Sequence, residues 1–163
     1  MQHAAHVAIV GQALGIIRNT YFGGNVDTDR IAALALYHDT AEVVSGDLPT
    51  PIKYYSPDIR DAYKQVEKVS ADKLAAMLPE ELRPAFAPLL REDYDPDTRA
   101  LVKAADKLSA YIKCVEELKA GNAEFRQAAE QTLEALKGYG LPEVDYFMER
   151  FLPAFGLTLD ELS

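Results

Sequence analysis

Apolar residues recur every three or four positions along almost the whole chain, the spacing of one helix face turned toward a core. In HAAHVAIVGQALGIIRN the stripe is Val7, Val10, Leu14 and Ile17, and continued backwards it reaches His3. The pattern stops at Tyr21-Phe22-Gly23-Gly24. Asp27 or Thr28 can cap a second helix, whose stripe is Ile31, Leu34 and Ala35. Ser56-Pro57-Asp58 combines a capping serine, proline at the first helical position and an acid in the first turn. It predicts a helix running to about Leu78, and Pro79-Glu80-Glu81 predicts a short one ending near Pro84 or Pro88. Asp95-Pro96-Asp97 opens a long helix with the stripe Leu101, Ala105, Leu108 and Ile112, stopped by Gly121. Asn122 restarts the chain, Gly138-Tyr139-Gly140 interrupts it, and Pro142 and Thr158 open two last short helices. No segment alternates with period two over a useful length, and no repeat or linker appears. The prediction is an all-α fold, one domain over residues 1–163.

Three of these stripes carry charge where the apolar face should continue. The second helix, read on without a break, brings His38, Asp39 and Glu42 onto the face begun by Ile31. At about 100° per residue, Asp39 stands about 100° from His38 and Glu42 about 40° from it, one turn along. His3 extends the first stripe, and Asp106 borders the stripe of the long helix. An unpaired polar group on a core-facing stripe costs about 1–3 kcal/mol, and a charge more. Groups on different helices offset that cost by converging on a common partner. Two imidazoles and two carboxylates make a mixed nitrogen and oxygen set suited to a divalent first-row metal.

Plainer readings stand beside this one. His3 lies near the start of the chain and can be simply exposed, and His6 is close enough to take its place. Glu42 and His38, four apart, can form an ordinary helical side-chain pair. Asp106 beside Lys107 can belong to a solvated face, and GDLPTP can be no more than a helix stop followed by a rigid turn.

Composition narrows the function classes. The 163 residues are enough for a sizeable core, with 48% hydrophobic and 26% charged residues. The net charge of −9 and pI near 4.8 disfavour a long nucleic acid, whose phosphates need clustered Lys and Arg. A small phosphorylated ligand stays compatible, because one metal ion reverses the local field. No apolar run approaches a membrane span, and no basic n-region and apolar h-region follow Met1. The single Cys114 excludes an intrachain disulfide framework and suits a reducing, cytoplasmic compartment.

His3, the His38-Asp39 doublet and the distant Asp106 resemble the signature of the HD-domain metal-dependent phosphohydrolases. The stretch FGGNVDTDRIAALALYHDTAEVVSGDLPTPIKYY is similar to the YfbR-type 5′-deoxynucleotidases, as are LVKAADKLSAYIKCVEELKAGNAEF and DYFMERFLPAF. The likeness covers nearly the whole chain in order, and the SGDLPTPIKY continuation makes it specific.

That resemblance implies a single HD-domain helical bundle, usually dimeric, that removes the 5′-phosphate from deoxyribonucleoside monophosphates with a divalent metal such as cobalt or manganese. Carried over, His3, His38, Asp39 and Asp106 bind the metal, and Glu42 is the catalytic glutamate. Asp47, Leu48, Pro49 and Thr50 match a substrate-contacting loop, with Asp39 and Asp106 also reaching substrate. Asp106 is a further candidate for relaying a proton to the leaving group. The family also has a segment ahead of the first ligand, with an Arg-Trp pair that touches substrate. Met1 stands two residues before His3, so this chain is expected to lack it, and Gln2 stands where the family tends to have Glu. The competing expectations are a non-catalytic helical module that binds a nucleotide or a protein, and a phosphohydrolase of a different nucleotide.

Overall fold

The computed structural model describes residues 2–49, 52, 55–157 and 161, and among them every regular element is helical. The helices are α1 (Gln2–Tyr21), α2 (Thr28–Tyr37), α3 (Glu42–Ser45), α4 (Pro57–Met77) and α5 (Arg83–Leu90). After them come α6 (Pro96–Lys119), α7 (Arg126–Lys137), α8 (Pro142–Arg150) and α9 (Leu152–Phe155), with a 3₁₀ turn at Ala123–Phe125 before α7. They divide into two compact units, residues 1–35 with 95–163, and residues 36–94.

In the first unit α1 packs along α6 and against α8, and α6 also carries α7. The predicted stripes form its core: Val7, Val10, Leu14 and Ile17 meet Ile31, Leu34 and Ala35 and the fully buried Leu101, Ala105, Leu108 and Ile112. Gly11 sets how closely α1 approaches, because a Cβ there would lie 3.3 Å from Ile31 Cγ2 and 3.5 Å from Ala105 Cβ. The start and stop signals act as their chemistry requires. Asp27 accepts a hydrogen bond from the Arg30 amide, and Asp95 accepts one from the Thr98 amide, each at 2.9 Å. Gly121, at φ +91°, closes α6 with paired bonds from Asn122 N–H to Glu117 O and from its own N–H to Leu118 O. The Asn19 side chain bonds both the amide and the carbonyl of Val26, which fixes the turn into α2.

In the second unit α4 packs against α3 and α5. Ser56 caps α4 through the Ile59 amide, as its Ser-Pro-Asp start predicts. Two expectations are corrected here. The short helix begins at Arg83, not Pro79: residues 80–82 form turns, and Pro84 takes the first helical turn, where a missing N–H costs nothing. It also runs two residues past Pro88 to Leu90, with Pro88 forfeiting only the one bond its missing N–H would make to the Pro84 carbonyl. Arg83 then bonds the Leu78 and Ala76 carbonyls at the C-terminus of α4, satisfying acceptors that the helix itself leaves open.

The second correction concerns the doublet. The second helix does not run unbroken through Glu42; α2 ends at Tyr37, residues 38–41 form turns, and α3 starts at Glu42. Bonds span three residues there: Thr40 N–H to Tyr37 O, Glu42 N–H to Asp39 O, and Val43 N–H to Thr40 O. Ala41, at φ −62° and ψ −28°, has the matching backbone. The last predicted helix, opened by Thr158, lies outside the described residues.

Candidate metal and substrate site

Two histidine–aspartate pairs offer nitrogen and oxygen donors, one in each unit. In the first unit His3 stands in the opening turn of α1 and Asp106 in the middle of α6. His3 Nε2 lies 2.9 Å from Asp106 Oδ1, and each side chain is a little under half exposed. The core beneath explains the meeting: Val7 and Val10 pack α1 down, while Ala105, the residue before Asp106, is fully buried. Both polar groups thus sit at the rim of the same apolar contact. The neighbouring His6 is turned to Phe155, with ring centroids 6.4 Å apart.

In the second unit the turn structure sets the geometry. Three residues per turn place His38 and Ala41 on one side and Asp39 and Glu42 on the next. Burial agrees: the His38 side chain is 10% exposed and Ala41 8%, whereas Asp39 is 42% exposed. His38 Nε2 lies 3.1 Å from Asp39 Oδ2. Glu42 is half-buried at the start of α3.

The two separations are informative about what the groups can hold. Donor atoms at about 2.1 Å from one octahedral cation and at right angles to each other lie about 3.0 Å apart. Each histidine–aspartate pair therefore presents a nitrogen and an oxygen at the spacing of adjacent ligands, in the chemistry that a first-row divalent ion accepts. The residues present fit the group.

The loop after α3 follows from Gly46, whose φ of +74° and ψ of 161° belong to a region open almost only to glycine. The Tyr63 hydroxyl donates to the Gly46 carbonyl at 2.5 Å, so α4 holds the start of the loop. Asp47 and Pro49 are exposed and Leu48 half-exposed, and Thr50 lies outside the described residues. Nothing in the sequence singles out Tyr63, which stands 17 positions from Gly46 with no local pattern to link them. Cys114 is excluded as a nucleophile: it is 5% exposed, and burial pushes its thiol pKa up.

The family model "5′-deoxynucleotidase YfbR-like" matches residues 1–155. The chain is 53% identical over 166 residues to the 5′-deoxynucleotidase YfbR of Escherichia coli (strain K12 / DH10B), covering 99% of this chain and 82% of that protein. The 5′-deoxynucleotidase YfbR of Shigella boydii serotype 18 matches with the same identity and coverage. Among solved structures, an HD-domain phosphohydrolase from Listeria innocua superposes with a TM-score of 0.81, over 94% of this chain and 74% of that one. At 24% identity that likeness speaks to the fold, which is the helical arrangement of the HD domains.

Proposed function

This chain belongs to the YfbR-like 5′-deoxynucleotidase family, and from that premise we propose that it hydrolyses deoxyribonucleoside 5′-monophosphates to the deoxyribonucleoside and phosphate. The ligands assigned to its divalent metal are His3, His38, Asp39 and Asp106, with cobalt or manganese as the ion. The observation that supports this assignment is the repeated spacing, 2.9 Å in one histidine–aspartate pair and 3.1 Å in the other.

A bound divalent ion supplies charge for the phosphate oxygens and makes water more acidic. The remaining work falls to the chain. Glu42, half-buried beside the doublet turn, takes the proton of the attacking water as the new P–O bond forms in line with the breaking P–O5′ bond. Asp106 is assigned the relay of that proton onward to O5′, which leaves as the deoxyribose hydroxyl. Asp47 is assigned to accept a hydrogen bond from a sugar hydroxyl and Thr50 to donate one, with Leu48 and Pro49 beside the sugar. Asp39 and Asp106 also orient the phosphate. The acidic surface suits a small ligand neutralised by a metal and disfavours long nucleic acid. No helix among the described residues is long and apolar enough to cross a membrane. A homodimer acting in the cytoplasm completes the reading.

The deciding experiment follows phosphate release from paired deoxyribo- and ribonucleoside 5′-monophosphates with manganese, with cobalt and with chelator. Release from the deoxy member, lost with chelator and restored by metal, is the expected result. No release with either ion would overturn the proposal. Metal retention together with lost turnover in Glu42→Gln separates an enzyme from a binding module.

A further inference from the structure

A buried ion pair lies at the opposite end of α1 from His3. Arg18 donates from Nε and Nη2 to one oxygen of Glu143, at 2.9 and 2.5 Å, and from Nη1 to Asp97 at 3.2 Å. Glu143 is 1% exposed and the Arg18 side chain 14%. The charges are matched to their places: Arg18 lies in the last turn of α1, and the two acids lie in the first turns of α6 and α8, where the helix dipoles favour them. Gly24 closes over the arginine, since a Cβ there would fall 2.5 Å from Arg18 Cγ.

The contacts along α1 and α6 give this pair a consequence for the site. Early α1 meets later α6 at His3 and Asp106, and late α1 meets early α6 at Arg18 and Asp97, so the helices run antiparallel. Between those ends Gly11 makes the close approach to Ala105. His3 stands eight residues to one side of Gly11 and Arg18 seven to the other. The first turn of α1 is largely exposed, and the core grips the helix from Val7 onward. The lightly packed first turn, with His3 on it, is therefore carried by the rest of α1, whose far end the ion pair holds.

We propose that Arg18, held by Glu143 and Asp97, is a positioning residue that fixes the rotation and register of α1 on α6 and so keeps His3 on Asp106. The inference rests on the metal reading only for its affinity readout.

The test compares five chains: wild type, the paired replacement Arg18→Met with Glu143→Met, Arg18→Lys, Leu136→Ala, and Asp106→Asn as the reference for a lost His3 contact. The paired replacement removes both charges together, which avoids stranding a buried carboxylate. Leu136 is 1% exposed on α7, so its truncation lowers stability in the same unit without touching the ion pair. Two quantities are read on folded protein: the His3 ring NMR signals of the metal-free chain, and the manganese dissociation constant. In the paired variant the ring signals should move toward those of Asp106→Asn, and manganese should bind about tenfold more weakly. Arg18→Lys should recover part of both, and Leu136→Ala should change neither.

Unmoved His3 signals in the folded paired variant overturn the proposal, and so do equal shifts in Leu136→Ala. If the wild-type chain binds no manganese, the ring signals still decide, and only the metal assignment falls. If the paired variant does not fold, Gly24→Ala displaces the Arg18 stem and is read in the same way.

Discussion

The imidazole of His3 and the carboxylate of Asp106 stand 2.9 Å apart although 103 positions separate them in the chain. Each is a little under half exposed, so the pair contributes at most about 1 kcal/mol to folding. His3→Ala should therefore melt within a few degrees of wild type. Manganese affinity should fall by roughly a hundredfold or more, since even outer-shell changes reach that size. Calorimetric titration beside a thermal melt checks both. Wild-type affinity in the variant would remove His3 from the ligand set.

Glu42→Gln keeps the shape of the side chain and loses its basicity. Turnover should fall by about 10²–10⁴-fold, the usual range for a general base, with metal content unchanged. Steady-state kinetics paired with metal analysis is the measurement. A variant that loses metal and turnover together would make Glu42 a ligand instead.

Gly46 adopts a backbone conformation that side chains resist, yet a Cβ added to it would meet no described atom within 4 Å. Gly46→Ala should cost about 1–3 kcal/mol through backbone strain alone. Tyr63→Phe removes the hydroxyl that holds the Gly46 carbonyl and should cost about 1 kcal/mol. If the loop from Asp47 meets substrate, both variants raise KM more than they lower kcat. Denaturant titration and Michaelis kinetics separate the two effects.

Asp95 caps α6, and hydrogen bonds from the Thr98 side chain and amide hold its carboxyl below the usual carboxylate pKa. A group depressed in the folded state stabilises above its unfolded pKa, near 4, and loses that contribution as pH falls through the folded value. Asp95→Ala should thus cost about 1 kcal/mol at pH 7, with the gap to wild type narrowing progressively below about pH 4. Urea unfolding at pH 7 and pH 3 tests the sign. A gap that widens in acid would refute it.

Most helices are legible in the sequence because their signals are local. Ser56-Pro57, Asp95-Pro96 and Gly121 act within one turn of themselves, so neighbours in sequence suffice to read them. The stripes on α1 and α6 are legible for a similar reason: helical rotation alone places Val7 with Leu14 and Leu101 with Leu108. The start of α5 is not, because Pro79, Pro84 and Pro88 all resemble a first-turn proline, and packing against α4 chooses Pro84.

The doublet shows the same division more sharply. Residue types alone identify His38, Asp39 and Glu42 as chemistry out of place on an apolar face, and the roles proposed for them rest on the family motif. Their angular relation escapes the sequence, because the step from four-residue to three-residue bonding after Tyr37 has no marker in LALYHDTAEVV. What the sequence by itself determined was helix content, the main caps, the three apolar stripes and the polar residue types at their edges. Each depends on contacts within a few residues. Only the tertiary structure decided that His3 meets Asp106, that Tyr63 holds Gly46, and that Arg18 is tied to Glu143 and Asp97. Those contacts join residues 17 to 125 positions apart, and burial of the apolar stripes, rather than any local preference, brings them together.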